Sequence, residues 1–308
     1  MGGATDSGRD NVSRGIALVL VAILVFSSQD AASKWLVQSD VSPFQMTMMR
    51  FWAFAGFSLL LGWRKGGIAA SFRSAHPLLQ TLRGTLLVSD IWLYVLALMT
   101  VPLAAVQSIT LIYPLLVTLF AIPVLGEKVG PFRFGAVAVG FAGALVIVRP
   151  GGLPLDMGVF YAAASGAAYA LYIVLTRKVS ATDSTTTSMV YTGVVGLVIS
   201  SGVGVFHWEA LELGSLLLII YIMITGVVAH GIMIYALSLA PASVLQPFNY
   251  TSLPWSILLG MLIFHEALDP ISLLGAAIIA GAGLVVMARE RIRKVPQASA
   301  EPALPGKE

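Results

Sequence analysis

The sequence has no cysteine and little charge. Among its 308 residues, only 11% are Asp, Glu, Lys or Arg, whereas 57% are apolar. A soluble domain carries roughly 25% charged residues, so this chain could not cover its surface with solvated groups. The lack of cysteine excludes disulfides, thiolate nucleophiles and thiolate metal sites. The composition therefore excludes soluble enzymes, nucleic-acid-binding proteins and disulfide scaffolds.

The sequence motifs of membrane-embedded enzymes and nucleotide-driven pumps are also missing. There is no Gly-x-Ser-x-Gly nucleophile turn and no phosphate-binding loop. His265 and Glu266 match the first half of a zinc-protease motif, but position 269 is Asp instead of the second His. We predict no catalytic residue, no metal ligand and no cofactor. An intramembrane enzyme or a channel is a weaker alternative.

Long apolar runs dominate what is present. A helix needs about 20 apolar residues to cross a bilayer, and ten runs of about that length can be marked. They lie near 15–37, 43–62, 80–101, 103–125, 132–149, 157–177, 187–206, 215–238, 242–264 and 271–288. We predict an all-α polytopic membrane protein with ten transmembrane helices. Residues 1–14 are polar and lack the features of a signal peptide, so we expect the first run to be retained.

The basic residues are distributed unevenly between alternate connections. With the N-terminus inside, the cytoplasmic segments hold fourteen Lys and Arg residues, and Arg83 at the start of the third run is expected to join them. The outer segments hold Arg149 and Lys34. Because Lys and Arg favour the cytoplasmic side, both termini are predicted to be cytoplasmic. The segment 289–308 is polar, rich in Pro and Ala, and is predicted to be a disordered cytoplasmic tail.

The chain repeats itself at half its length. The segment 102–107 resembles 241–246 at an offset of 139 residues, and the same offset pairs Glu127 with Glu266. An offset of 143 pairs Lys34 with Arg177. We predict two five-helix halves, 15–149 and 157–288. Because five is odd, the second half is inverted, which is an architecture of secondary transporters that work by alternating access.

Three stretches carry a family resemblance. They are Asp30-Ala-Ala-Ser-Lys34-Trp35 followed by Pro43 and Arg50, Tyr113-Pro114 through Gly126-Glu127, and Pro247-Phe248-Asn249-Tyr250 through Glu266. In this order and spacing they resemble the drug/metabolite transporter superfamily, in particular its ten-helix EamA-type members. Position 265 departs from the family pattern, because it is His where the family usually has Gly.

The resemblance implies a multi-pass carrier of small organic solutes in the plasma membrane, which is the inner membrane in bacteria. It implies a central cavity lined by helices 1, 3, 4, 6, 8 and 9. Within the superfamily, the chain is similar to the branch of riboflavin and S-adenosylmethionine importers. Exporters of amino acids or drugs share the same fold and are the alternative function.

Two opposite charges lie at matching depth in the first two helices. Asp30 is seven residues from the outer end of the first run, and Arg50 is about seven residues into the second. Both therefore lie about 10 Å below the outer surface. Ionisable groups at this depth pair or face a cavity, so Asp30 and Arg50 form either a structural latch or a substrate or coupling site. Lys34, one turn beyond Asp30, is a competing partner.

Asp90 and His230 occupy nearly equivalent positions in the two halves. Each lies about 17 Å from the end of its helix, near the middle of the membrane. Because His titrates near neutral pH, the two could relay protons together with Asp30 or bind a polar substrate. The alternative is that each is buried against a polar group of another helix.

Uncharged polar residues near interrupted helices complete the candidate pocket. An amide at membrane depth donates and accepts hydrogen bonds without the cost of burying a charge, and hydroxylated aromatic rings suit a ring-bearing solute. Prolines 114, 247 and 254 are expected to interrupt the helices that carry several of these residues. The candidates are Gln107, Tyr113, Tyr169, Tyr172, Gln246, Asn249 and Tyr250.

Two further features are expected to be structural. Glu127 and Glu266 each precede a loop and a proline, which indicates solvated charges at helix ends, with gating as the alternative. Small residues recur every fourth position at Ala136, Gly140 and Ala144 and at Ala277 and Gly281. This spacing predicts close packing of helices 5 and 10, within the chain or in a homodimer.

Overall fold

The computed structural model describes residues 4–126, 130–147, 156–239, 245–266 and 268–292. Glu127, Arg149, the start of the ninth apolar run and the tail beyond residue 292 lie outside the described residues. The helices are α1 Ala4–Gln38, α2 Pro43–Arg64, α3 Ile68–Ser71, α4 Pro77–Leu98, α5 Leu103–Thr110, α6 Tyr113–Leu125, α7 Pro131–Ile147, α8 Met157–Val179, α9 Thr185–Gly204, α10 Leu213–Leu239, α11 Ser252–Phe264 and α12 Pro270–Ile292, with 3₁₀ turns at Val205–His207 and Gln246–Thr251.

The described residues contain helices and no strand, and each predicted apolar run overlaps a helix. Six helical segments are long and apolar enough to cross a membrane, and three shorter apolar helices accompany them. The chain is therefore a polytopic helical membrane protein. The six segments are Val12–Gln38, Pro77–Leu98, Leu103–Leu125, Met157–Val179, Thr185–His207 and Leu213–Met233.

The helix starts follow from local sequence. The Asp156 carboxylate accepts a hydrogen bond from the Val159 N–H at 3.1 Å, and the Ser184 hydroxyl accepts one from the Thr187 N–H at 3.0 Å. Each satisfies a backbone donor that the first turn leaves free. Pro43 occupies the first turn of α2, where its missing N–H costs no hydrogen bond.

Two of the predicted interruptions are present, and both fall where the fourth and ninth runs reach the middle of the protein. Pro114 lies in the first turn of α6, after a break at residues 111–112, and Pro247 lies in the 3₁₀ turn that precedes α11. Proline cannot donate the backbone hydrogen bond that an unbroken helix needs. Pro254 causes no break, because it lies in the first turn of α11, where proline is tolerated.

Four helix pairs form the most extensive contacts of the bundle. They are α4 with α8, α1 with α10, α2 with α9, and α7 with α12. Each pair joins a helix of the first half of the chain to one of the second half. The halves are therefore interleaved, and any space at the centre of the bundle is bordered by both.

The α7–α12 pair confirms that these two helices pack together, and their closest approach is at two glycines outside the predicted rows. A Cβ atom added to Gly143 would lie 2.8 Å from the Gly275 carbonyl oxygen, and one added to Gly275 would lie 2.7 Å from the Gly143 carbonyl oxygen. The backbones therefore touch, as small residues permit. A Cβ atom on Gly140 would meet Leu115 and lie 4.0 Å from the Cβ atom of Ala282 on α12, whereas one on Gly281 would have no neighbour within 4 Å. Dimerisation through these helices stays a prediction.

Equivalent left-handed residues end α6 and α11. Gly126 has φ +70°, and His265, at an offset of 139 residues, has φ +54°. Glycine adopts this conformation without steric cost, whereas a residue with a Cβ atom is strained there by roughly 1–2 kcal/mol. At position 265 the chain therefore keeps the left-handed backbone conformation, although it has His where glycine would adopt that conformation without strain.

Candidate functional site

A cavity of about 330 Å³ lies among the helices at the middle of the bundle. Its wall comes from α1, α2, α4, α5, the start of α6, α8, α10, the 3₁₀ turn before α11 and the first residue of α11. All six helices implied by the family resemblance contribute. The second predicted helix, α2, also contributes, through Arg50, Phe51 and Phe54. A volume of this size is typical of sites for small organic ligands.

Eight of the eleven predicted site residues line this one cavity. Because they come from positions 30 to 249 of the chain, the fold brings together side chains that are distant in sequence. The eight are Asp30, Arg50, Asp90, Gln107, Tyr113, Tyr169, His230 and Asn249.

Three predicted residues do not contribute to the wall as described. Tyr250 is buried against Gly283 of α12, where its hydroxyl occupies the place a Cβ would take. Successive residues of a 3₁₀ turn point about 120° apart, so Asn249 can face the cavity while Tyr250 faces away. Tyr172 stacks on Tyr169, with ring centroids 5.9 Å apart. Gln246 lies in the 3₁₀ turn, and its side chain lies outside the described part of the structure.

The charged groups of the cavity share one space without direct pairing. Arg50 interacts electrostatically with both Asp30 and Asp90. Within the described chain, neither carboxylate is within 4.0 Å of the guanidinium nitrogens, and Arg50 donates no hydrogen bond. Asp30 and Arg50 therefore do not form the close ion pair that a latch between adjacent helices requires.

Hydrogen bonds position several polar groups around these charges. The Ser165 hydroxyl donates to Asp90 Oδ1 at 2.6 Å. The Tyr94 hydroxyl donates to Gln107 Oε1 at 2.9 Å, and Gln107 Nε2 donates to the Ser252 hydroxyl at 2.9 Å. Tyr94, Ser165 and Ser252 were not predicted. Tyr94 could have been found, since it follows Asp90 by one helical turn and therefore shares its face.

Aromatic rings form much of the remaining wall. His230 makes an edge contact with Phe26 at 5.2 Å between ring centroids and a tilted contact with Phe54 at 5.5 Å. Its Nδ1 lies 2.8 Å from the Gly226 carbonyl oxygen of its own helix. Tyr113 and Tyr169 meet edge to face at 4.9 Å. The cavity thus offers ring faces beside charged and amide groups.

A buried ion pair lies one helical turn from Asp30, and it corrects the prediction for Glu266. The Lys34 Nζ lies 2.5 Å from Glu266 Oε1 and donates to the Val101 carbonyl at 3.0 Å, while Glu266 Oε2 accepts the Leu103 N–H at 3.0 Å. Lys34 is only 2% exposed. Glu266 is thus not a solvated helix-end charge, because Lys34 pairs with it instead of Asp30. We call this group the Lys34 latch.

A second buried network surrounds Arg83, which was predicted to lie among the charges of a cytoplasmic loop. Arg83 is 2% exposed. Its nitrogens donate to five oxygens, so the guanidinium is fully used within the protein. The acceptors are Gln80 Oε1 at 3.2 Å, the Tyr172 hydroxyl at 3.4 Å, the Thr176 hydroxyl at 3.2 Å, the Thr192 hydroxyl at 2.8 Å and the Ser188 carbonyl. We call this group the Arg83 network.

The Arg83 network continues to the loop between α8 and α9. Asp183 accepts hydrogen bonds from Gln80 Nε2 at 2.8 Å, from the Ala75 N–H at 2.9 Å and from the Ser74 hydroxyl. Partial burial alone would raise the pKa of the Asp183 carboxyl, but these hydrogen bonds outweigh it and hold the pKa below its usual value. The network therefore ties the α2–α4 connection to α8 and α9.

The cavity can bind a small organic molecule in several ways at once. Carboxylates and a guanidinium provide ionic contacts, amides and hydroxyls provide hydrogen bonds, and the rings provide stacking surfaces. The described residues contain no group of three or more acidic or histidine side chains arranged to hold a metal ion. The arrangement suits recognition of a small organic solute.

Known proteins resemble the chain over most of its length. A riboflavin transporter of Rhizobium johnstonii is 27% identical over 284 residues, which cover 91% of this chain and 93% of that protein. An S-adenosylmethionine uptake transporter of Rickettsia bellii is 25% identical over 281 residues, covering 91% and 95%. A riboflavin transporter of Vibrio cholerae is 30% identical over 218 residues, covering 69% and 72%.

A solved crystal structure shares the fold, with a TM-score of 0.61 and 20% sequence identity. The match covers 92% of this chain and 99% of the chain in that structure. The family model described as the EamA-like transporter family matches residues 13–149 and again residues 156–288. Together with the apolar helices, the family and its bacterial relatives place the chain in the inner membrane as a multi-pass protein. The chain belongs to the EamA-like transporter family.

Proposed function

We propose that the protein is a secondary carrier that takes up a small, ring-bearing organic metabolite by alternating access. The observation that carries this proposal is the central cavity, whose charged, amide and aromatic groups come from both halves of the chain. A solute bound between two halves can be exposed to either side when the halves rock against each other. The related riboflavin and S-adenosylmethionine transporters are carriers of ring-bearing metabolites.

The helix pairing supports ten transmembrane helices arranged as two inverted repeats. Exchanging the halves converts α1 into α8 and α4 into α10, so the α1–α10 pair becomes the α8–α4 pair. The α2–α9 and α7–α12 pairs are converted into themselves. A pairing pattern that is unchanged by exchange is expected of halves related by a pseudo-two-fold axis. With this arrangement, and with the basic residues inside, both termini are cytoplasmic.

The Lys34 latch supports a state in which one end of the cavity is shut. It joins α1, the α4–α5 connection and the segment after α11, all at the end proposed to face outward. Opening that end requires the ion pair to separate. We propose that the latch breaks and re-forms during each transport cycle, which assigns Glu266 the gating role given above as the alternative.

Counterflow in proteoliposomes tests the carrier function. Vesicles containing the purified full-length protein are loaded with unlabelled riboflavin, S-adenosylmethionine, an amino acid mixture or nucleosides, and uptake of the matching labelled solute is measured. A carrier gives uptake that is accelerated by solute on the far side, whereas a channel does not. Protein-free vesicles are the control. If the internal solute does not accelerate the uptake of any solute that enters the vesicles, the carrier proposal is contradicted.

Proton coupling through Asp30, Asp90 and His230 is a second part of the proposal. These three residues line one cavity together with Arg50, so protonation of any of them would alter the field at the bound solute. Flux should depend on an imposed pH gradient in the wild type and lose that dependence in His230→Ala and Asp90→Asn. An unchanged dependence in both variants would remove coupling from the mechanism while leaving counterflow intact.

A further inference from the structure

Arg50 is a charged side chain of the cavity whose hydrogen-bond donors are unused within the described residues. It lies on α2 and faces the cavity, and it donates no hydrogen bond to any described residue. A guanidinium has five N–H donors in a planar fork, and an ion at membrane depth that lacks a partner is costly. A carboxylate is the group that matches this fork with two parallel hydrogen bonds.

Two carboxylates share the cavity with Arg50. Asp30 comes from α1 and interacts with Tyr94, while Asp90 comes from α4 and keeps one oxygen beyond its hydrogen bond with Ser165. A solute that has one carboxylate and two cationic groups could therefore place one group against each of these three side chains.

The aromatic wall adds a preference for the type of cation. Phe26 and Phe54 flank His230, and Tyr113 and Tyr169 lie on the same cavity. Ring faces attract ammonium and other onium ions and stack on planar heterocycles. Both features suit a solute with a heterocycle beside a positive centre.

We propose that the cavity recognises an amino-acid-bearing organic cation, with Arg50 holding the carboxylate and with Asp30 and Asp90 holding the cationic groups. The proposal rests on the carrier function proposed above and narrows its substrate class. A sulfonium amino acid joined to a nucleoside has these charges and a planar ring. A neutral flavin has the ring but not the charges.

Titration of the purified full-length protein with a matched pair of ligands tests the carboxylate contact. The probes are S-adenosylmethionine and its decarboxylated analogue, which differ by the carboxylate. The wild type should bind the analogue at least about 10-fold more weakly, which is the loss expected for charge-assisted hydrogen bonds. Arg50→Gln should weaken binding of S-adenosylmethionine by a similar factor and bind the two probes with nearly equal affinity.

Two further variants complete the design. Arg64→Gln makes the same change on an exposed arginine of the same helix and should leave both affinities unchanged. Arg50→Lys keeps the positive charge and loses the planar fork, so it should retain part of the discrimination. If Arg50→Gln does not fold, the Arg50→Lys variant still tests the contact between Arg50 and the carboxylate. Asp30→Asn and Asp90→Asn should weaken both probes, because both carry cations.

The results separate this proposal from the carrier function. Equal weakening of both probes in Arg50→Gln would overturn the carboxylate contact. Riboflavin counterflow without binding of S-adenosylmethionine would preserve the carrier and overturn the substrate class. If the two probes bind with the expected difference in affinity but no counterflow occurs, the proposed binding site is supported and the carrier function is contradicted. If neither binding nor counterflow is observed, the substrate class and the carrier function are both contradicted.

Discussion

Arg50 and Arg83 both lie within the described bundle, but their surroundings are opposite. Arg83 is buried, and it donates to five oxygens of the side chains and backbone around it. Arg50 lines the central cavity, and within the described chain it donates to none. An internal cation whose donors are all used holds its neighbours in place, whereas one whose donors are unused is available to a solute. We therefore expect Arg83 to maintain the fold, whereas we propose that Arg50 contacts the transported solute.

The largest expected effect is that of Arg83→Met. The substitution removes five hydrogen bonds and leaves buried Gln80 Oε1 without its donor, although the Ser188 carbonyl still accepts from the Thr192 hydroxyl. A buried acceptor left without a donor costs about 1–3 kcal/mol, and each lost hydrogen bond to a charged group adds to that cost. The free energy of unfolding in detergent should fall by about 3 kcal/mol or more. Chemical denaturation followed by circular dichroism measures it, with the exposed Arg64→Met as the matched control. Equal stability of the two variants would break the comparison.

Lys34→Met should have the next largest effect. It leaves Glu266 with only the Leu103 N–H as a described hydrogen-bond partner and removes the bond to the Val101 carbonyl. Because Glu266 is partly exposed, we expect a loss of about 2 kcal/mol, less than for a fully buried pair. The same denaturation experiment measures it. The double variant with Glu266→Gln should lose less than the sum of the two single variants, and simple additivity would contradict a direct pair.

Arg50→Met tests whether Arg50, unlike Arg83, contributes little to the stability of the fold. No hydrogen bond within the described chain is lost, and only the longer-range attraction to Asp30 and Asp90 disappears. The free energy of unfolding without solute should therefore change by less than about 1 kcal/mol, although transport is lost. A destabilisation as large as that of Arg83→Met would mean that Arg50 is a structural residue.

Asp183→Asn should have the smallest effect, and that effect should depend on pH. The folded state holds the Asp183 pKa below its unfolded value near 3.9, so ionised Asp183 contributes stability at neutral pH. That contribution is lost as the pH falls through the folded-state pKa. Because the group is partly exposed to water, the difference from wild type should be below about 1 kcal/mol at pH 7 and should shrink as the pH falls below about 4. A difference that grows on acidification would contradict the sign.

The helices and much of the cavity could be predicted because both depend on patterns that are local or periodic. Apolar runs of about 20 residues indicate membrane helices, and polar groups at membrane depth indicate a cavity. Asp30, Asp90 and His230 were found by depth alone. Their approach to one another follows from helix pairing between the halves, which the repeat indicates but does not specify in detail.

The interactions that were missed depend on contacts between distant segments. Lys34 and Glu266 are separated by most of the chain, so the depth of Lys34 predicted a nearer partner, Asp30. Arg83 lies close enough to a helix start to be predicted as a loop charge, and its burial depends on α8 and α9 packing around it. Tyr250 was misplaced because a 3₁₀ turn, not an α-helix, sets the direction of its side chain.

The contact between Gly143 and Gly275 has a consequence for following the transport cycle. Where two backbones touch, the helices resist sliding past each other, and no described residue of α7 or α12 lines the cavity. This pair can serve as an internal ruler for spectroscopy. Spin labels on the exposed positions Leu145 of α7 and Leu284 of α12 should report one narrow distance in every condition. Against that fixed distance, changes between α1 and α10 or between α4 and α8 can be measured.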